Sequence, residues 1–155
     1  MSELQKELKQ SKPFKSKEVE LYLNLARTTE ALSWKIVEFL KAYELTGTQY
    51  NTLRILRGAG DDGLICGEIS ERLVTKDSDI TRLLNRLDDR GLVARERDPN
   101  DRRHVITKIT DAGLELLAKI DEPLEDLHRQ QLGHLGDGLI EQLNALLVLA
   151  RSQVK

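Results

Sequence analysis

Between Lys76 and Lys108 the chain carries nine basic residues, seven of them arginine, against seven acidic ones, in a protein whose formal net charge is -2. The overall charge argues against a uniformly basic coat, so the placement of these arginines matters more than their sum. In "DSDITRLLNRLDD", Ile80, Leu83, Leu84 and Leu87 recur at helical spacing and must face a core. Ser78, Asp79, Thr81, Arg82, Asn85, Arg86 and Asp89 are left on the opposite face. Hydroxyls, an amide and guanidinium groups on a bare helix are the donors and acceptors that base edges and phosphates take. A solvated amphipathic helix presents much the same mixture.

A second charged device follows in "RERDPNDRRHVITKIT". After Gly91 the apolar period changes from helical to alternating, and "LVARER" and "HVITKI" read as two short strands joined by the turn-forming "DPND". Asp98 to Arg103 then occupy the tip of a hairpin. An arginine there can enter a narrow minor groove, where the potential is most negative, and a neighbouring aspartate can hold its guanidinium. Charged turn tips are common, so the hairpin alone also fits a plain surface loop. Arg95 and Arg97 lie on the strand, where they either reach phosphates or pair with Glu96 and Asp98. The two devices in this order and at this spacing are much less easily coincidental than either alone.

These parts need positioning elements. Residues 1 to about 15 are polar and read as a loosely held arm. A helix of about 28 residues follows from the capping Ser16, longer than a small domain needs for itself. Thr46 and Gln49 have capping-box spacing and open the next helix, which "GAGDDG" ends. "LIC" is a very short strand, and "GEISERL" a short helix that forms a helix-turn-helix with the one before Gly91. Thr110 caps a helix in which Pro123 predicts a kink or break; "GHLGDG" reads as a loop before a last apolar helix from about Leu139. The predicted fold is mainly α with a small β-hairpin wing: a winged helix-turn-helix with apolar helices at both chain ends.

The run "LTGTQYNTLRIL … GEISERL … DITRLLNRLDDRGLVARERDPNDRRHVITKITDAG" resembles the MarR family of winged-helix transcriptional regulators. The match is strong over about residues 45 to 113, and its most specific part is the D-x-R motif of the wing, here Asp101-Arg102-Arg103. The resemblance implies a homodimer on a pseudo-palindromic double-stranded DNA operator, with a repressor or regulator role. It implies dimerisation helices over about 16–45 and 111–152 and a DNA-binding lobe over about 46–110, within one domain. Carried over by position, Ser78, Thr81, Arg82 and Arg86 are the recognition-helix contacts. Arg102 and Arg103 are the wing arginines, with Asp101 as orienting partner of both. A small aromatic or anionic effector is part of the same expectation; Trp34, Tyr22 and Tyr43 either line its cleft or serve core and interface packing. Asp79, where the family often has a neutral residue, and Thr75, in place of an apolar turn residue, are departures that touch specificity.

Other readings are weaker. A winged-helix protein-interaction module without DNA binding shares the fold, and a small helical enzyme has no support, since no nucleophile elbow, phosphate loop or paired carboxylates appear. No cofactor is expected. His104, His128 and His134 lack a metal spacing. The one cysteine, Cys66, excludes an internal disulfide and reads as a buried structural thiol in a cytoplasmic protein. No apolar run reaches the roughly 18 residues that span a bilayer, and the N-terminus has no secretory h-region.

Overall fold

The computed structural model describes residues 2–76, 79–99 and 101–154. By its internal contacts the chain divides into two compact units, Met1–Glu38 and Phe39–Lys155.

The first unit holds α1 (Glu3–Glu7) and most of α2 (Lys17–Lys41). The polar start is therefore not an arm without structure. Ser2 and Gln5 form a reciprocal capping box, at 3.4 and 2.8 Å, and Glu7 pairs with Arg27 of α2 at 2.7 Å. Ser16 accepts the Val19 N–H and starts α2 as expected. Val19, Leu21, Tyr22, Trp34 and Val37 are all exposed on α2.

In the second unit, α2 ends in a turn built on Glu44, whose φ of 55° is left-handed. The Leu45 N–H closes the turn onto the Leu40 carbonyl. The capping box of Thr46 and Gln49 opens α3 (Gly47–Ala59), and a short 3-10 turn over Gly60–Asp62 leads to β1 (Leu64–Ile65). Then come α4 (Cys66–Arg72), α5 (Ile80–Asp89), β2 (Val93–Arg97), β3 (Val105–Ile109), α6 (Asp111–Leu132) and α7 (Gly136–Arg151). The order is that of a winged helix, with β3 central in a three-stranded antiparallel sheet, β1-β3-β2. Leu53 and Leu56 of α3, Ile69 of α4, Leu84 and Leu87 of α5, Val93 of β2 and Leu117 and Ile120 of α6 are fully or almost fully buried and make the core. Cys66 is half-buried rather than buried.

Two expectations about the C-terminal helices are corrected. "GHLGDG" is not a loop: a 3-10 turn over Gly133–Leu135 runs directly into α7, which starts at Gly136. Pro123 does not break α6, which runs through it. Proline removes the N–H that would bond the carbonyl four residues back. Here that carbonyl belongs to Lys119, and the Tyr43 hydroxyl donates to it at 3.3 Å, replacing the missing donor. Arg57 of α3 adds a two-pronged bond to Asp121 of α6, at 2.6 and 3.1 Å, on the same helix just before the proline. A local rule was overridden by a tertiary contact.

The junction of wing and α6 explains the "TDAG" segment. Gly91, at φ 69°, ends α5, and the Leu92 N–H returns to the Leu87 carbonyl. Thr110 donates its hydroxyl to the Gly91 carbonyl at 2.6 Å, its N–H bonds the Leu92 carbonyl, and its Oγ1 accepts the Gly113 N–H as the cap of α6. A Cβ on Gly113 would lie 2.4 Å from the Leu92 carbonyl oxygen and 2.7 Å from Ile109 Cγ1, so only glycine lets α6 sit this close.

Candidate nucleic-acid interface

Helix α5 is amphipathic in the way its spacing requires. Leu83, Leu84 and Leu87 are buried, Ile80 half-buried, and Thr81, Arg82, Asn85, Arg86 and Asp89 exposed. The described helix begins at Ile80; Ser78, the first expected contact, lies outside the described residues, as does Asp77. Asp79 serves the helix itself. As N-cap, its carboxylate accepts the backbone N–H of Arg82 at 3.0 Å, which satisfies one of the helix's free donors. Beside the helix a hollow of about 330 Å³ opens between Thr46, Thr48 and Gln49 at the start of α3 and Arg82 and Arg86 of α5.

The turn before α5 carries the substituted Thr75, which is exposed, as is Val74. Packing is replaced there by a hydrogen bond, since the Val74 N–H donates to Asn51 Oδ1 of α3 at 2.9 Å. The far end of α5 is also held. Arg90 donates to the Glu44 carbonyl at 2.6 Å and the Tyr43 carbonyl at 3.2 Å, so it caps the turn after α2. Neither Asn51 nor Arg90 has a sequence signal, because their partners lie 23 and 46 or 47 residues away.

In the wing, β2 and β3 pair from Val93↔Ile109 to Arg97↔Val105. The tip closes with Asp98 N–H to the His104 carbonyl at 3.0 Å and His104 N–H to the Asp101 carbonyl at 2.9 Å. Asp101 accepts three bonds from Arg103: the backbone N–H and Nε at 3.0 Å, and Nη2 at 2.8 Å. Those side-chain and backbone bonds hold the Asp101 carboxyl below its ordinary pKa, and the same pair raises the Arg103 guanidinium. The expected orienting role of Asp101 is thus narrower than the motif suggested. It holds Arg103 alone, and Arg102 projects with no hydrogen bond or ion pair among the described residues. A fork bonded at both its Nε and Nη2 edges cannot rotate freely, while Arg102 can. Arg103 still has an 88% exposed side chain, so the clamp orients it without covering it.

At the wing's root, Glu96 pairs across the strands with Lys108 at 2.7 Å, which raises the lysine's pKa. Arg95 does not pair with an acid; its Nη1 donates to Asn85 Oδ1 of α5. This tie between wing and helix was missed, since nothing in the two residue types announces it across the Gly91 turn. Among the described residues no group of three His, Cys, Asp or Glu side chains could hold a metal ion. Nor is any described helix long and apolar enough to cross a membrane.

Known proteins share this outline. Residues 43–104 match the model of the family described as the MarR family. The chain is 30% identical over 110 residues to the multiple antibiotic resistance protein MarR of Salmonella typhimurium, covering 70% of this chain and 75% of that one. The crystal structure of a MarR transcription factor from Planctomyces limnophilus is 44% identical, with 88% of this chain and 99% of that chain covered and a TM-score of 0.69. A cysteine-to-serine mutant of MarR from E. coli, solved in complex with operator DNA, has the same fold, with a TM-score of 0.77 at 24% identity over 88% of this chain and 96% of that one.

Proposed function

The chain belongs to the MarR family of transcriptional regulators, and we propose that it binds a pseudo-palindromic DNA operator as a homodimer and controls access to a promoter. In this reading α5 lies in the major groove, and Ser78, Thr81, Arg82 and Arg86 are the contacts to bases and phosphates. Arg102 and Arg103 reach the minor groove, Arg103 held by Asp101. The carrying observation is where exposed arginines cluster. Arg82, Arg86 and Arg102, all exposed on α5 and the wing, have no carboxylate partner among the described residues. Unpaired guanidinium groups on two projecting elements supply counter-charge to a polyanion.

The dimer is proposed from α7. None of its 16 residues is buried, although Leu139, Leu143, Leu146 and Leu149 are among them. Each leucine covered by a second copy contributes roughly 1.5–3 kcal/mol. The family's division of labour is proposed with it: about 16–45 and 111–152 for dimerisation, and about 46–110 for DNA. A small aromatic or anionic effector that changes the spacing of the two recognition helices completes the proposed regulator.

Selection of bound duplexes from a random pool tests this reading, with sedimentation to give the oligomeric state. Enriched sequences should be pseudo-palindromic with half-site centres about 10 base pairs apart, and binding should fall steeply with salt. A monomer with a shallow slope and no preference over random duplex would leave the interaction-module reading.

A further inference from the structure

We propose that Arg95 is a DNA-phosphate contact seated in the crease between the recognition helix and the wing, with its guanidinium aimed by Asn85. The inference rests on the DNA-binding reading above and adds a contact that the D-x-R tip does not supply. Arg95 is on β2, opposite Thr107 of β3, and its side chain is half-buried against α5. One Nη1 hydrogen goes to Asn85 Oδ1. Among the described residues its Nε is buried with no hydrogen-bond partner, and so is the hydroxyl of Thr107 across the ladder. The neighbouring carboxylate that could neutralise it, Glu96, is spent on Lys108 at 2.7 Å. Among the described residues Arg95 therefore has a neutral amide and no acid.

A cation drawn partly out of water without a counter-ion is costly, and a fold keeps one where a partner supplies the charge. The place of this one identifies the partner. When a helix occupies the major groove and the hairpin beyond it occupies the adjacent minor groove, one sugar-phosphate strand must run between them. That strand passes over the root of the wing, where β2 leaves α5 and where Arg95 lies. The Nη hydrogens not given to Asn85 form the kind of fork that takes phosphate oxygens. Arg97, two residues on, faces the same way along the strand but is exposed and has no such seat among the described residues.

A purely structural role, tying the wing to α5, predicts different behaviour from a phosphate contact. Arg95→Gln keeps an amide N–H for Asn85 and removes the charge; Arg95→Lys keeps the charge and loses the fork. Binding of the unaltered protein and both variants to a selected duplex and to a random-sequence duplex is measured across a salt series, with the thermal midpoint of each variant recorded. Arg95→Gln is expected to weaken both duplexes by a similar factor. It should also flatten the log-log salt slope by about 0.9 per half-site, or about 1.8 per dimer, while Arg95→Lys keeps the slope near that of the unaltered protein. An Arg95→Gln protein with the unaltered slope overturns the contact, whatever its affinity. Weakening confined to the selected duplex overturns it as well, because phosphates carry no sequence. A flat slope for the unaltered protein instead overturns the DNA-binding reading and this inference together.

Discussion

Gly113 gives the sharpest prediction, because helix propensity and packing disagree on its sign. By propensity alone, Gly113→Ala in α6 should stabilise the protein by about 1 kcal/mol. The structure predicts the reverse. The new Cβ would lie 2.4 Å from the Leu92 carbonyl oxygen, and ordinary contact begins near 3.4 Å, so α6 must retreat by about 1 Å. The oxygen cannot swing aside, since it accepts the Thr110 N–H at 3.1 Å. Overpacking of this kind costs roughly 1–3 kcal/mol. Weakening the Thr110 bonds to Leu92 and Gly91 adds about 1 kcal/mol each. After the propensity gain, a net loss of about 2–4 kcal/mol remains. Urea unfolding at a fixed protomer concentration would show a lower midpoint with an unchanged slope. A midpoint equal to or above that of the unaltered protein would refute the close approach of α6 to the wing root.

Three further outcomes follow from named contacts. Tyr43→Phe should cost about 1 kcal/mol where Pro123 leaves the Lys119 carbonyl without its helix donor, and close to nothing beside Pro123→Ala, which restores that donor. Equal costs in both backgrounds would sink the replacement argument. Glu44→Gly should stabilise by about 0.5–1 kcal/mol, because Glu44 sits at φ 55° and its side chain meets Arg90 only at 3.9 Å; a lowered unfolding midpoint would count against it. Asp101 is held below the ordinary carboxylate value of 3.8, first by the Arg103 side chain and then by its N–H. A depressed folded pKa means the clamp is fully present above that value and lost as pH falls through the lowered one. The Arg103 Nε–H resonance should thus report loss of the clamp only as pH falls below the ordinary carboxylate value. A midpoint at or above 3.8 would show that the clamp does not form.

Much of this protein is legible in its sequence, for a local physical reason. The apolar spacing of Ile80, Leu83, Leu84 and Leu87 decides which face of α5 points outward, because a helix has a fixed period. Thr46 with Gln49, Thr110 and Gly91 mark element ends because caps act within one turn. The strand–turn–strand pattern around "DPND" and the tip arginines follow from equally short-range chemistry. What only the tertiary structure decided lies in contacts between residues far apart or not complementary on inspection. Asp79 caps its own helix, since a carboxylate at a helix start meets backbone donors. Asp101 holds one arginine rather than two, since the tip turns Arg103 back over it. α6 runs through Pro123, and Tyr43, 80 residues earlier, donates to the carbonyl that the proline orphans. Arg95, one charge among many in the sequence, is set apart only when β2 folds it against Asn85 and Glu96 turns to Lys108. Period and capping are written within a few residues; the partner of a charged side chain is chosen by the fold.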